Sequence, residues 1–219
     1  MTRMFHDAVS RLGAAPLLTY YDADSRIELS GTTFANWVMK TANLFDDLGG
    51  DPDEPLSLGL AETAPGHWVS LVWTAAAWFA GAQVQPGVPD SAAFAVVGPE
   101  DARRGRVTVA CSLHPLGRGF AQPPADATDY AEVLAQPDRA FPGTADGGAA
   151  AWPGVTRAEL DAVTPRSDRR LFRDPATGWG FVAEALVAPV LGGGSSVIVA
   201  GLDEGEVERI AASEKVSRP

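Results

Sequence analysis

The stretch GHWVSLVWTAAAWFAGAQVQP, residues 66–86, decides the fold that this sequence can adopt. From Trp68 to Phe79 the apolar side chains leave no polar stripe, which is typical of a helix buried on most of its faces. Gly81 is a helix stop signal, and the residues after it predict a short strand. We place the start of this helix at Thr63, with Thr63 as its cap and Pro65 in its first turn.

The segments on either side alternate between strand and helix patterns. Before the central stretch we predict a strand hairpin, a helix and a strand, at residues 16–21 with 27–29, at 33–48 and at 56–60. After it we predict strands and helices at residues 94–97, 107–111, 156–163, 178–191, 196–200 and 204–214. Thr32 or Thr33 can cap the 33–48 helix, and Gly49-Gly50 can end it. The alternation predicts an α/β fold with a largely parallel sheet flanked by helices.

Residues 112–148 form the longest part of the chain without periodicity, rich in Pro, Gly and Asp. Apolar residues are nevertheless spaced through it, and we expect them to be buried: Leu113, Leu116, Phe120, Tyr130, Val133, Leu134 and Phe141. We therefore interpret this segment as one that crosses a single domain spanning residues 1–219, rather than as a linker.

Composition excludes several classes of function. The chain has 219 residues and a net charge of −11, so its surface repels phosphate backbones and nucleic acid is not an expected partner. A single cysteine, Cys111, excludes a disulfide framework and a cysteine-based metal site. The longest apolar stretch is too short to span a bilayer, and the N-terminus opens no long apolar run. We expect a cytoplasmic protein with no membrane contact.

The order of these elements resembles the N-terminal part of the adenylate-forming superfamily, the AMP-binding and acyl-CoA synthetase-like enzymes. The segments that carry the likeness are PLLTYYD from residue 16, ELS from 28, LGGDPDEPLSL from 48, the stretch 66–86, PVLGGGSSVIV from 189 and EVERIAASEKVS from 206. The chain is similar to short, degenerate actinobacterial members of that superfamily. The resemblance implies a partial adenylate-forming-enzyme N-terminal fold.

The chemistry of that superfamily depends on a phosphate loop of the form Ser/Thr-Gly-Thr/Ser-Thr-Gly-x-Pro-Lys-Gly-Val, in which hydroxyls and backbone N–H groups bind phosphate and the lysine offsets its charge. The matching positions here read GGAAAWPGV, residues 147–155. This loop is degenerate: Gly147, Gly148, Pro153 and Gly154 remain, the hydroxyls and the lysine are missing, and Trp152 is bulky. The adenine and ribose motifs of the superfamily, and its C-terminal catalytic lysine, are also absent from these residues.

A ligand pocket, if one is retained, is expected beyond the carboxyl ends of the strands, where open α/β sheets bind ligands. Ser112, His114 and Gly117 follow a predicted strand and are candidate pocket residues, together with the degenerate loop. The alternative is that the 112–148 segment fills that space as a plug. The three histidines have no metal-ligand spacing, so no metal site is expected. Gly192-Gly193-Gly194 follows a helix and is interpreted as a helix-to-strand turn rather than an anion cradle.

These observations predict a catalytically silent relative of adenylate-forming enzymes, with no catalytic residues and no cofactor. It would bind itself, a partner subunit, or a small acyl or nucleotide ligand. A homo-oligomer is expected because apolar helices at 68–79 and 181–191 would otherwise expose apolar surface. The alternative is a divergent acyl or aryl adenylating subunit that another chain completes.

Overall fold

The structure, a computed structural model, describes residues 3–144 and 146–216. Its α-helices are α1 Arg3–Ser10, α2 Gly31–Asp47, α3 Leu60–Thr63, α4 Trp68–Ala80, α5 Arg157–Asp161, α6 Trp179–Val182, α7 Ala188–Gly192 and α8 Glu204–Glu214, with a 3-10 helix at Tyr130–Ala135 and a π-helical turn at Ala183–Val187. Its strands are β1 Pro16–Tyr21, β2 Arg26–Ser30, β3 Leu56–Leu58, β4 Val84–Pro86, β5 Phe94–Val97, β6 Val107–Ala110, β7 Thr128–Asp129, β8 Ala150–Trp152, β9 Val155–Thr156, β10 Arg169–Arg173 and β11 Ser195–Val199.

The strands form two larger sheets and a small hairpin. In the first sheet the order is β10-β11-β1-β2, with β10, β11 and β1 parallel and β2 returning antiparallel to β1. In the second sheet the order is β4-β3-β5-β6-β7, and every pairing is parallel. Strands β8 and β9 pair with each other. The predicted α/β fold with a largely parallel sheet flanked by helices is confirmed.

Helix α4 lies at the centre of the molecule. Every residue from Trp68 to Phe79 is buried, and α4 contacts α2, β1, β3 and β4. Trp73 and Trp78 are fully buried, and Phe5 of α1 packs edge-on against Trp78 with ring centroids 5.5 Å apart. Because large aromatic side chains bury more area than any others, this helix supplies much of the apolar contact between the two sheets. The predicted burial of the helix is therefore confirmed.

The predicted helix starts were wrong by a few residues. Helix α4 begins at Trp68, where the imidazole of His67 accepts a hydrogen bond from the N–H of Val69 at 3.3 Å. The expected cap, Thr63, instead ends the short helix α3, because Pro65 disfavours helical backbone at the residue before it. Likewise α2 is capped by Ser30, two residues before the expected threonines.

The expectation that the apolar residues of the 112–148 segment are buried was wrong for three of them. Tyr130 and Val133 are buried, but Leu116 is 69% exposed, Leu134 54% and Phe141 97%. Polar contacts with α2 hold this part of the segment. The Lys40 ammonium donates to the carbonyl of Leu134, and the Asn43 amide donates to the carbonyls of Pro137 and Arg139 at 2.9 Å. Since backbone carbonyls make the attachment, the apolar side chains are left in solvent.

The Gly192-Gly193-Gly194 run is a helix-to-strand turn, as predicted. Gly193 has a φ of +74° and ends α7 in the left-handed conformation that favours glycine. A Cβ at Gly192 would lie 2.3 Å from the backbone nitrogen of Arg166, so only glycine allows this close approach.

His67 links the start of α4 to the pH dependence of stability. It is 4% exposed and packs edge-on against Tyr20, with ring centroids 4.8 Å apart. Burial lowers the pKa of His67 from 6.5 to about 4. Protonation therefore favours the unfolded state, in which the pKa keeps its ordinary value. The stability gained from the neutral imidazole is fully present above pH 6.5 and is lost as the pH falls towards 4.

We predict that the free energy of unfolding falls by about 3 kcal/mol between pH 7 and pH 4 because of His67. His67→Asn keeps an N-cap acceptor but cannot titrate, so its unfolding free energy should be lower at pH 7 and nearly flat down to about pH 5, above the range in which Glu214 titrates. Urea denaturation at a series of pH values measures the unfolding free energy of the wild-type protein and of the variant. His114→Asn is the matched control and should keep the wild-type slope, whereas an equal slope in His67→Asn would contradict the assignment.

A second titration begins at the acid end of that range. Burial opposes ionisation of Glu214, but hydrogen bonds from Tyr21, Arg169 and Arg26 outweigh it and lower the pKa of Glu214 to about 2. Its contribution to stability is lost only below its ordinary value of 4.5, so the two effects are separable.

Candidate functional site

The degenerate phosphate loop is a tight hairpin. Strands β8 and β9 run antiparallel, and Gly154 turns the chain between them with a φ of +75°. Trp152 is 5% exposed and belongs to the core, and the indole N–H of Trp78 donates to the carbonyl of Ala151 at 2.8 Å. The hairpin is thus attached to the central helix, and Trp152 does not stand at the mouth of an open site. The cavity beside Trp152 measures about 10 Å³, no more than one water can occupy.

The backbone N–H groups around this loop are already bonded within the chain. Gly148 donates to the carboxylate of Asp146 at 3.1 Å, and the first two residues of α5, Arg157 and Ala158, donate to the carbonyls of Ala149 and Gly147 at 2.9 Å. The Thr156 N–H donates to the carboxylate of Glu159 at 2.7 Å.

A phosphate would have to displace these partners, two of which are carboxylates that would repel it. These residues do not fit the triphosphate of ATP.

The cation nearest to the loop in the sequence, Arg157, points away from it. Its side chain is 1% exposed and donates to the carbonyls of Trp78 at 2.9 Å and Ala82 at 2.7 Å, at the C-terminal end of α4. Burial lowers the pKa of Arg157 to about 10, so the guanidinium stays protonated at neutral pH. The partial negative charge of the helix end stabilises it there. This positive charge is unavailable to a ligand at the loop.

The other predicted pocket residues lie together in a turn above α2. Leu116 donates its N–H to Nδ1 of His114 at 3.1 Å, and the N–H of Gly117 bonds the His114 carbonyl at 2.8 Å. The hydroxyl of Ser112 accepts from the N–H of His114 at 3.2 Å. Gly117 has a φ of +65°, and a Cβ there would lie 2.7 Å from the ring of Trp37.

The structure thus brings Ser112, His114 and Gly117 together, but none of them lines either of the two cavities beyond the strand ends. Trp152 lines a separate cavity, the one of about 10 Å³, which none of the three lines.

Two adjoining cavities do lie beyond the carboxyl ends of the parallel strands. A cavity of about 420 Å³ lies beyond the second sheet and is lined by Gly98 and Leu113. A cavity of about 270 Å³ lies beyond the first sheet and is lined by Asp174 and Ala200. Both are lined by Thr63 and Ala64. We call this pair the carboxyl-edge crevice.

Two non-glycine residues of this crevice adopt left-handed backbone, Leu113 with a φ of +58° and Asp174 with a φ of +40°. Such conformations cost about 1–3 kcal/mol each and concentrate at functional sites.

None of the pocket residues that the sequence predicts lines this crevice. The sequence pattern predicts its central segment, Thr63 to His67, as the first turn of a helix, whereas α3 ends at Thr63 and α4 begins at Trp68. Pro65-Gly66 was the available signal, because this pair marks a turn more often than a helix interior.

The described residues contain no group of three or more His, Cys, Asp or Glu that could hold a metal ion. Within residues 3–144 and 146–216, no helix has the length and apolar content that crossing a membrane requires. A cavity of about 520 Å³ lies beside β3 and β4 of the second sheet. Two arginines beside it, Arg103 and Arg106, are already paired with Glu62 at 2.7 Å and Glu54 at 2.8 Å.

Comparison with solved structures identifies the fold. An acyl-CoA synthetase from Brucella canis superposes with a TM-score of 0.74 and 16% identity, over 98% of this chain and 46% of that one. A fatty acyl CoA synthetase from Mycobacterium tuberculosis gives 0.69 and 15%, over 98% and 47%. The N-terminal domain of FACL13 from the same species gives 0.68 and 16%, over 98% and 60%. The chain spans about half the length of the synthetases it matches.

Comparison of sequences places the chain in a family. No profile of a known protein family matches it. A protein of Mycobacterium tuberculosis (strain ATCC 25618 / H37Rv), described as a TIGR03089 family protein, is 32% identical over 226 residues, which cover 93% of this chain and 90% of that protein. The chain has the N-terminal fold of the adenylate-forming acyl-CoA synthetases. On the identity and coverage of this relative, it belongs to the TIGR03089 family.

Proposed function

We propose that this protein is a catalytically silent member of the adenylate-forming fold that acts by binding. One observation carries the proposal: in and just after the degenerate phosphate loop, the N–H groups of Gly148 and Thr156 bond the carboxylates of Asp146 and Glu159, and those of Ala149, Arg157 and Ala158 bond backbone carbonyls. Adenylation requires a site that stabilises the negative charge of a triphosphate. A loop with carboxylates at its donors, and with its nearest arginine directed into the core, favours the opposite charge.

The binding site that the geometry favours is the carboxyl-edge crevice. It lies where open α/β sheets hold ligands, its walls are largely preformed, and its volume suits a small molecule. A small ligand is therefore the first candidate partner. An acyl or nucleotide ligand remains within this proposal only if it binds without using the degenerate loop.

We predict that the purified protein shows no acid-dependent exchange of pyrophosphate into ATP and no thermal stabilisation by Mg-ATP, because the loop cannot hold the phosphates. The measurement is isotope exchange with a panel of fatty and aryl acids, beside an active acyl-CoA synthetase.

The matched control for that assay is Gly154→Val, which strains the loop turn at a position with open space around the added side chain. Acid-dependent exchange that this variant abolishes would overturn the proposal and favour a divergent adenylating subunit. Exchange that the variant leaves unchanged would come from a contaminating enzyme.

Assembly with a second copy is a further candidate, favoured by one observation. We expected a homo-oligomer because two apolar helices would otherwise expose apolar surface, but α4 and the 181–191 segment are mostly buried within the chain. The most exposed large apolar side chain of the described residues is instead Phe141, at 97%, and it lines a groove of about 240 Å³ together with Phe45, Ala80 and the polar Asn43 and Asp46. A large exposed aromatic in a groove of mixed polarity is typical of a contact surface.

We predict that the protein self-associates at micromolar concentration through Phe141. Sedimentation velocity should show a species heavier than the 22.9 kDa chain, and Phe141→Ser should return it to the monomer. Leu116→Ser removes an exposed apolar side chain outside that groove and should leave the association unchanged. A wild-type protein that sediments only as a monomer contradicts this candidate.

A further inference from the structure

The part of the crevice beyond the first sheet has a polar floor with an unused hydroxyl. Tyr20 lies near the end of β1, is 7% exposed and lines the 270 Å³ cavity. Among the described residues its hydroxyl has no hydrogen-bond partner, although the neighbouring Tyr21 bonds Glu214. Because Tyr20 lines the cavity, its hydroxyl is available to a ligand.

The charges of two carboxylates act on this hydroxyl. Asp174 follows β10 and lines the cavity, and Asp22 follows β1. Their charges reach the floor of the cavity: burial, followed by the charges of Asp22 and Asp174, raises the pKa of Tyr20 to about 12. His67 stays neutral there, because burial lowers its pKa to about 4. The cavity therefore combines negative potential with the aromatic rings of Tyr20 and His67.

The arginine that pairs with Asp174 offsets this potential only in part. Arg173 pairs with Asp174 at 3.4 Å through Nε, but its terminal nitrogens bond Glu204 and the carbonyl of Leu202, on the side of α8. Arg173 does not line the cavity. One oxygen of Asp174 accepts the N–H of Gly201 at 2.7 Å, which fixes the carboxylate in place.

We propose that this cavity binds the ammonium group of a small organic amine. The hydroxyl oxygen of Tyr20 accepts one N–H, the Asp174 carboxylate supplies the opposite charge, and the ring of Tyr20 adds attraction to a cation. Pro65 and Pro175 line the same cavity and provide apolar contact for an alkyl chain. The negative field excludes phosphates and free carboxylates, so the ligand differs in charge from a nucleotide or a fatty acid.

The test compares molecules of one shape and different charge. Pentylamine and 1-pentanol are titrated into the ¹⁵N-labelled protein, and amide shifts give the site and the dissociation constant. We expect pentylamine to shift the amides of Gly66 and Gly201 and to bind about tenfold more tightly than pentanol. Equal affinities, or shifts confined to another part of the chain, would overturn the proposal.

Three variants separate a built site from general attraction to a protein of net charge −11. Asp174→Asn should weaken pentylamine about tenfold and leave pentanol unchanged, and Tyr20→Phe should weaken it about threefold. Asp24→Asn removes the same charge outside the cavity and should change affinity less than twofold. Asparagine tolerates the left-handed backbone of position 174, and phenylalanine keeps the buried ring, so both variants should fold. Equal losses in Asp174→Asn and Asp24→Asn would overturn the proposal.

A lysine side chain of another protein carries the same ammonium group. Nα-acetyl-lysine amide therefore forms a further arm of the titration, and affinity more than tenfold above that of pentylamine would overturn the small-amine proposal in favour of a peptide. The inference rests on the binding role proposed above, but the two fail separately. If the protein shows no pyrophosphate exchange and does not bind amines, only this inference is contradicted. If it binds amines but shows exchange, only the proposed silent role is contradicted.

Discussion

Helix α4 is apolar on every side, and this imposes the main constraint on the rest of the structure. Such a helix has to be covered around its whole circumference, and the chain covers it with α2 and with strands of both sheets. Neither sheet could bury its inner face as well without α4, because most of the core residues of both sheets belong to one continuous cluster with the helix. The two carboxyl edges meet at Thr63 and Ala64, just before this helix begins, so the position of the crevice follows from the same constraint.

Elements with a strong local pattern were predictable from the sequence. The hairpin of β1 and β2 was predictable because turn residues separate two runs of residues that favour strands. Helix α8 was predictable because its sequence has helical spacing, and in the structure Asp203 and Glu206 form a capping box at its start. Strand β10 was missed because three of its five residues are arginines. Those arginines form ion pairs with Glu214, Glu184 and Glu204, which lie far away in the sequence. No pattern within five residues carries that information.

The candidate site was predictable only in part, for a similar reason. The loss of the hydroxyls and the lysine from the phosphate loop could be read directly from residues 147–155. That the remaining donors bond Asp146, Glu159 and the loop's own carbonyls depends on how the hairpin folds back on α5. The lining of the crevice depends on which loops meet at two sheet edges. The type of a residue indicates which bonds its side chain and backbone can form, whereas contacts with residues far away in the sequence decide whether those groups already have a partner.

The burial of Arg157 has a consequence for how this protein opens. Its guanidinium bonds two carbonyls at the end of α4, and the Trp78 indole bonds the carbonyl of Ala151, so two side chains fasten α5 and the β8–β9 hairpin to the central helix. Freeing the hairpin would leave these carbonyls and a buried cation without partners, which costs several kcal/mol. The hairpin and α4 should therefore form one cooperative unit in native-state hydrogen exchange, with common protection factors. We therefore expect the amide hydrogens of this hairpin to exchange as slowly as those of the helix that it contacts.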